Sequence, residues 1–323
     1  MTNQNNRIES VVEVLDHGDQ IALFAHISPD GDTLGSALAL YHALKGMGKK
    51  VCLCCDGTLP PNLKMLPGYD EVFIQPLFVP NIAMAIDCAD AARMGKNVTC
   101  FEEAQHRIVI DHHRTNEGFG QINWIDAEAA ATAELIYQLL LALPTNITQE
   151  EAICLYAALA SDTGNFSYSN TRAYSFEMAA ELLKTGFDMP TLVRNLFRSK
   201  SRSRMRMMGV CLQHAKYYFD GKISLCLLDQ QVLSLANPQS GDFDGLVDML
   251  RDQENVEIAI FGREVSPNSF KVSFRSVQSA DVSVVAQKWG GGGHARAAAC
   301  LMQGSYFEVG QALLSALQEI LSL

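Results

Sequence analysis

No apolar run in this chain approaches the roughly 18 to 20 residues that a membrane-crossing helix needs. The opening MTNQNNRIESVVEVL also lacks the basic stretch and apolar run of a secretory leader. The expectation is a soluble, cytoplasmic protein with no membrane partner. Positive charge is scarce: 25 Lys and Arg stand against 36 Asp and Glu, for a net charge of −11. Sequence-independent binding to long duplex nucleic acid depends on many basic contacts to phosphates, so that mode is excluded and any nucleic-acid substrate should be short. Internal repeats are absent, and the only low-complexity tract is the glycine run Gly290 to Gly293. Nine cysteines is an odd number, and most lie inside apolar segments, which points to reduced, buried thiols rather than a disulfide framework. The C-x-x-C pair Cys52 and Cys55 stands in the strand-like VCLCCD and reads as buried small hydrophobes.

What is present is an ordinary folded composition, 48% hydrophobic and 19% charged over 323 residues, long enough for two cores. Residues 7–16 have the apolar spacing of a helix. QIALFAHIS, KKVCLCCD, IAMAID and RIVIDHH read as strands, interleaved with helical patterns in LGSALALYHALKGMGK, TAELIYQLLLAL and TQEEAICLYAALAS. Thr33 or Asp32 is placed to cap the first of these helices. Residues 172–189 read as a further helix. Strands alternating with helices predict an α/β fold whose N-terminal domain, residues 1–190, is a mostly parallel sheet with helices on both faces. A basic helical connector follows at 191–215, with Arg194, Arg198, Lys200, Arg202, Arg204 and Arg206 and no acid among them. It is either a solvated helix or a local basic lip. Residues 216–323 read as a smaller mixed α/β C-terminal domain, with strands in KISLCLLD, VEIAIFGREV and FKVSFRSV and a closing helix in YFEVGQALLSALQEIL.

In open parallel sheets ligands bind beyond the carboxyl ends of the strands. His26, Asp87 and the triplet Asp111, His112 and His113 all fall at such ends, and Asp162 follows a helix on the loop toward SYSNT. Asp30 and Asp32 lie on the turn after His26. Several carboxylates in one crevice repel each other unless some stay protonated or a cation joins them. A mixed set of imidazole and carboxylate suits Mn²⁺, Zn²⁺ or Fe²⁺ better than Ca²⁺. Six donors, His26, Asp30, Asp32, Asp87, His112 and Asp162, exceed what one catalytic ion with open positions uses, but they suit a pair of ions sharing a carboxylate. Such pairs stabilise the attacking and leaving oxygens of an in-line displacement at phosphorus. Singly, His26 reads as a core histidine and Asp30 and Asp32 as a turn with a helix cap. Jointly, four chain segments would have to carry ligand-type residues by coincidence.

The motifs HISPDGDTLGS, AIDCAD, DHHRTN and SDTGNF in the first domain, and VSFRS with GGGGHARAAA in the second, resemble the DHH phosphoesterase family over essentially the whole chain. The resemblance is to its short two-domain branch of oligoribonucleases and phosphatases of 3′-phosphoadenosine-5′-phosphate (pAp). It implies that the six donors hold two Mn²⁺ ions, other divalent cations being possible, with Asp87 bridging. It also implies that His113 faces the scissile phosphate and that Asp111 orients a neighbouring histidine. The implied reaction is in-line attack of hydroxide, releasing mononucleotides from short RNA and AMP from pAp.

In the second domain, glycines without Cβ atoms let the backbone approach a ligand and aim N–H groups at phosphate oxygens. Gly291, Gly292, Gly293, His294, Arg275 and Arg296 are the substrate-binding candidates there, together with Arg114 beside the triplet. The resemblance implies the same for the loop and for Arg275, although Cys300 stands where a glycine is common and Arg296 where a lysine is. Phe166, Tyr168 and Trp289 are candidates for stacking on a base, with core packing the stronger reading of each. The partners expected are short RNA and small nucleotides, and a homodimer is left open. Two other readings stand: a phosphodiesterase acting on cyclic dinucleotides or pApA, and a nucleotide-binding regulator without turnover.

Overall fold

The computed structural model describes residues 2–278 and 280–321. The chain forms two compact units, one running to Ser199 and the other starting at Lys200, inside the basic stretch.

In the first unit the strands are β1 Gln20–Phe24, β2 Lys50–Cys54, β3 Val72–Phe73, β4 Ile82–Ile86, β5 His106–Asp111 and β6 Ile122–Ile125. The helices are α1 Thr2–His17, α2 Gly31–Gly46, α3 Val98–Glu103, α4 Thr132–Ala142, α5 Gln149–Asp162, α6 Ala173–Leu183 and α7 Met189–Val193. All six strands run parallel in the order β3-β2-β1-β4-β5-β6. The order reverses between β1 and β4, which opens a crevice beyond their carboxyl ends. Alternate residues serve the two faces: Ile21 and Leu23 join the core under α2, α4 and α5. Ala22, Phe24, Cys52 and Cys54 join a smaller core with Met94 and Phe101. Cys55 belongs to the opposite core, so Cys52 and Cys55 do not pair, and both are buried free thiols.

Two strands, β3 and β6, add to those legible in the sequence; they are only 2 and 4 residues long, too short to show a period. The cap of α2 is Asp30 rather than Asp32 or Thr33: its Oδ1 accepts from Thr33 N at 3.0 Å. Asp162 is the last residue of α5 rather than part of the following loop. The helix expected to run to 189 stops at Leu183, because Gly186 takes a left-handed φ of 80° that turns the chain away.

Helices α2 and α5 lie unusually close. A Cβ added at Gly31 would stand 1.8 Å from Ser161 Oγ, and one at Gly35 would stand 2.5 Å from the Cys154 carbonyl oxygen. Glycine one turn apart on α2 therefore lets α5 rest against it, bringing the end of α5 toward the start of α2. This packing sets Asp162 beside Asp30 and Asp32.

The second unit contains α8 Arg202–His214, β7 Lys216–Tyr218, β8 Ile223–Leu228, α9 Gln230–Ala236, α10 Leu246–Arg251, β9 Ile258–Ser266, β10 Ser269–Ser276, α11 Val282–Gln287, β11 Gly292–His294, β12 Ala297–Gln303 and α12 Tyr306–Leu321. Its sheet runs β11-β12-β10-β9-β8-β7, antiparallel except for the parallel pair β8 and β9. Leu225, Leu227, Ile260, Val272 and Phe274 pack with residues of α11 and α12 on one face. Cys226, Leu228, Ala259 and Phe261 pack with residues of α8, α9 and α10 on the other. The alanine-rich β12 carries little strand propensity of its own and is held by its ladder with β10. Among the described residues no helix is long and apolar enough to cross a membrane.

Gly35→Ala should cost about 1 to 3 kcal/mol, because the neighbour it meets is backbone that cannot rotate away. It should also weaken divalent-metal binding by moving α5. Urea denaturation and metal titration of the variant test both effects, and an unchanged midpoint would contradict the close-packing account.

Candidate metal centre

Each donor reaches the crevice by a local cause. His26 lies two residues past β1 and is buried, as is Asp87, the residue after β4. Asp87 has a left-handed φ of 58°, and its N–H donates to the Ile110 carbonyl at 2.9 Å. Aspartate tolerates that conformation better than most residues. Thr33 Oγ1 donates to Asp87 Oδ2 at 2.5 Å, and Thr132 Oγ1 donates to Oδ1 at 2.8 Å, so two hydroxyls from different helices fix its plane. Asp32 is fully buried and accepts from the Thr132 and Ala133 N–H groups at 2.6 and 3.0 Å, capping α4 from 100 residues away. Glu134, also fully buried and ion-paired with Arg172, accepts from Ala130 N and holds the same helix start.

These constraints gather three groups of donor atoms, each lying within 4.8 Å of one another: His26, Asp30 and Asp87; Asp87, His112 and His113; and Asp32, His112 and Asp162. The two oxygens of Asp87 serve different sides. Oδ2 lies 3.9 Å from His26 Nε2, and Oδ1 lies 3.7 Å from His112 Nε2. His112 Nε2 is also 3.2 Å from Asp162 and 3.8 Å from Asp32. Ligands about 2.1 Å from a shared ion stand roughly 3 to 3.5 Å apart, close to these separations. The other nitrogen of His112 faces the Ala129 carbonyl at 3.3 Å, the arrangement that leaves Nε2 as the ligand atom. All six expected donors are therefore brought together, and the donor set fits two divalent cations.

The charges agree. Burial, reinforced by Asp162, pushes Asp32 up to about 7. Burial with Asp32 and Asp30 nearby raises Asp87 well above the carboxylate range. His26 is lowered by burial to about 4, which leaves it a neutral imidazole fit to ligate. Burial would lower His112 too, but the hydrogen bond to Asp162 and the charges of Asp32 and Asp87 raise it to about 10. Without a cation the cluster keeps protons in its place.

Asp111 is buried beneath the cluster. Its Oδ1 accepts from His113 Nδ1 at 2.7 Å and its Oδ2 from Asn116 Nδ2 at 2.6 Å. Burial alone would raise this carboxyl, yet those two hydrogen bonds hold it below the usual range. Asn116 and Thr132 are supporting residues without a role in the sequence reading, and Thr33 reads there only as a helix cap. Asn116 lies in DHHRTN and Thr33 in PDGDT, but nothing local reveals that either reaches a carboxylate. Arg114 makes an exposed ion pair with Glu128 at 2.6 Å instead of joining the cluster. A cavity of about 340 Å³ opens beside Asp30 and Asp162, walled by Pro29, Pro60, Leu196 and Phe197. Of the aromatic candidates, Phe166 stacks on Phe176 at 5.1 Å, Trp289 packs on the second unit's core, and Tyr168 is exposed.

In the second unit, Gly292 to His294 form the exposed edge strand β11 against β12. Cβ atoms at Gly291 and Gly293 would meet the carbonyl oxygens of Ala299 and Ala297 at 2.2 and 2.3 Å, so these two glycines serve the hairpin itself. Gly292 has open space around it. Arg275 Nε donates to Asp248 at 3.1 Å, and Arg296 Nη1 donates to the Ala280 carbonyl at 2.8 Å.

Carboxylates and imidazoles collected at the switch point of a parallel sheet suit metal-assisted chemistry at phosphorus, and the family and relatives that the chain matches make the class that of hydrolases of phosphoester bonds. Residues 20–159 match the DHH family, N-terminal domain, and residues 229–323 match the DHHA1 domain. A protein of Thermus thermophilus called bifunctional oligoribonuclease and PAP phosphatase NrnA is 34% identical over 288 residues, covering 88% of this chain and 84% of that protein. The NrnA of Bacillus subtilis is 26% identical, covering 85% of this chain and 87% of that protein. The crystal structure of an exopolyphosphatase-related protein from Bacteroides fragilis superposes with a TM-score of 0.88 at 27% identity, covering 98% of this chain and 96% of that one. The chain belongs to the DHH phosphoesterase family.

The protonation pattern has a testable sign. Asp32 holds its proton up to about 7 in the fold against 3.8 unfolded, so its ionisation penalty builds up between those values. His112 contributes stability that is complete below 6.5 and lost as pH rises toward 10. The melting temperature of metal-stripped protein should fall between pH 6 and 9, and each proton displaced should add about tenfold per pH unit to apparent metal affinity. Calorimetric titrations in buffers of different ionisation enthalpy should register proton release near pH 7; a pH-independent affinity would refute the assignment.

Proposed function

We propose that the first unit hydrolyses short oligoribonucleotides to mononucleotides and pAp to AMP, using two divalent cations, Mn²⁺ being our choice. The observation that carries this reading is the split of Asp87, whose two oxygens face separate donor groups in the manner of a bridging carboxylate. The names of the relatives support the substrate class. When bound, two cations supply charge for the attacking and leaving oxygens of an in-line displacement at phosphorus.

The chain's own residues do the rest. His26 and Asp30 serve one side, Asp32, His112 and Asp162 the other, and Asp87 both. Thr33 and Thr132 keep the Asp87 plane fixed while charge builds at phosphorus. Asp111 orients His113 through Nδ1, which leaves Nε2 to hand a proton to the departing oxygen. In the second unit, Arg275, His294, Arg296 and the backbone of Gly292 and Gly293 grip the rest of the substrate, with Arg275 leaving Asp248 to do so, while the Gly291 N–H donates to the Ala286 carbonyl at 3.0 Å and holds the loop instead. Arg114 gives up Glu128 for the same purpose. In this reading residues 1–190 are the catalytic domain and 216–323 the gripping domain, while the basic stretch 191–215 is divided between the two units at Ser199 and Lys200, its helix α8 packing with the second.

The left-handed φ of Asp87 makes asparagine a better probe than alanine, since asparagine accepts that conformation. Asp87→Asn should keep a cooperative fold and lose hydrolysis on the order of 10³-fold or more; an active, metal-dependent variant would sink the two-cation reading. A panel of pAp, RNAs of graded length, pApA and pyrophosphate, run with metal-stripped protein and added Mn²⁺, tests the substrate. AMP from pAp and mononucleotides from the shortest RNAs are expected, with activity declining beyond about five nucleotides as the small basic area is exhausted. Preference for pApA would keep the chemistry and move the substrate. No turnover with metal bound would favour a nucleotide-binding regulator.

A further inference from the structure

Strand β10 presents Lys271, Ser273 and Arg275 at alternate positions, hence on one face, spaced about 7 Å apart. Lys271 pairs directly across the ladder with Arg263 of β9. Like charges opposite each other on paired strands destabilise a sheet. Acids outnumber bases in this chain, yet no carboxylate answers either cation: among the described residues neither makes an ion pair or a side-chain hydrogen bond. Arg263 is held instead by the Phe243 ring, with its guanidinium carbon 4.3 Å from the centroid. A stacked guanidinium is pre-organised and keeps its in-plane N–H donors for an anion.

Both cations line a cavity of about 260 Å³ whose wall also includes Phe243, Asp244, Phe261 and Ser273. Its two cations and single acid leave it net positive. Ser273 makes no hydrogen bond to another described side chain, so its hydroxyl is free to donate. A planar fork, a point charge and a hydroxyl around one cavity suit phosphate.

We propose that Arg263, Lys271 and Ser273 form a phosphate subsite in the second unit, which takes a phosphate of the oligonucleotide other than the one being cleaved. The substrate class rests on the function proposed above; the anion site itself does not. Arg275 and this subsite share one strand face, so an extended single strand can lay successive phosphates along it. Asp244 on the wall limits the site to a ligand carrying enough negative charge to outweigh it. Besides the phosphate it loses, pAp carries only one other, a single nucleoside away, whereas a tetranucleotide also carries phosphates farther along the strand, and these are the ones the subsite takes.

The test uses the full chain and the double variant Arg263→Ala/Lys271→Ala. With Mn²⁺, the ratio of kcat/KM for tetra-adenylate to that for pAp should fall at least tenfold in the variant. Binding of fluorescent tetra-adenylate to metal-stripped protein should weaken, with the slope of log K against log salt shallower by about 0.7 for the one phosphate lost. Lys271→Arg with Arg263 intact keeps both cations and should bind as the wild type does. If the wild type turns over neither substrate, the proposed reaction fails, while a loss of binding in the variant still supports the subsite. An unchanged ratio together with an unchanged salt slope overturns the subsite and leaves the reaction standing.

Discussion

Everything in the first unit answers to one electrostatic constraint: Asp30, Asp32, Asp87 and Asp162 are held within a few ångströms of each other, three of them at least partly out of water. Such a set is stable only with protons or cations among its oxygens. The shifts at Asp32, Asp87 and His112 show the proton-filled alternative, a cluster that keeps what neutral water would remove. A fold built to this arrangement carries a cost in the absence of metal, and divalent cations relieve it. Structure and chemistry are therefore one problem here.

The fold meets that constraint with rigid parts. The reversal of strand order between β1 and β4 makes the crevice, and the approach of α2 and α5 across Gly31 and Gly35 closes its side. Asp32 does two tasks at once, since the N–H groups at the start of α4 that stabilise its charge also need an acceptor. Asp32 and Asp87 are oriented by hydroxyl or amide donors from elements distant in the chain. Reorganisation during reaction is small for groups held in this way.

The second unit uses a different logic. Its charged residues lie on the partly covered sheet face that α8, α9 and α10 pack against and on the exposed hairpin, with Arg275 already sharing Asp248 and Arg263 laid against Phe243. On the reading proposed above, cations in shallow, partly solvated positions would give grip and length preference more than chemistry. The net charge of the protein makes that local concentration of basic groups stand out, and it limits how much phosphate backbone can be held.

Periodicity and chemistry along the chain were enough for the alternating strands and helices, the buried thiols and the six candidate donors that the fold brings together. Those features are local: a strand end, a turn of Asp, Gly and Asp, or a triplet of Asp and His can be read without knowing what lies across from it. Strands β3, β6, β7, β11 and β12 were not legible, the first four being 2, 4, 3 and 3 residues long and the last alanine-rich, all dependent on neighbouring ladders for their existence. Nor were the roles of the Thr33, Thr132 and Asn116 side chains, which arise from hydrogen bonds to carboxylates up to 54 residues away. The capping of α4 by Asp32, the splitting of the Asp87 oxygens and the pairing of Arg114 with Glu128 were likewise decided by tertiary structure. The sequence by itself determined which atoms are available as ligands. Only packing determined which of them face one another, because partner choice depends on distances between segments that no local pattern encodes.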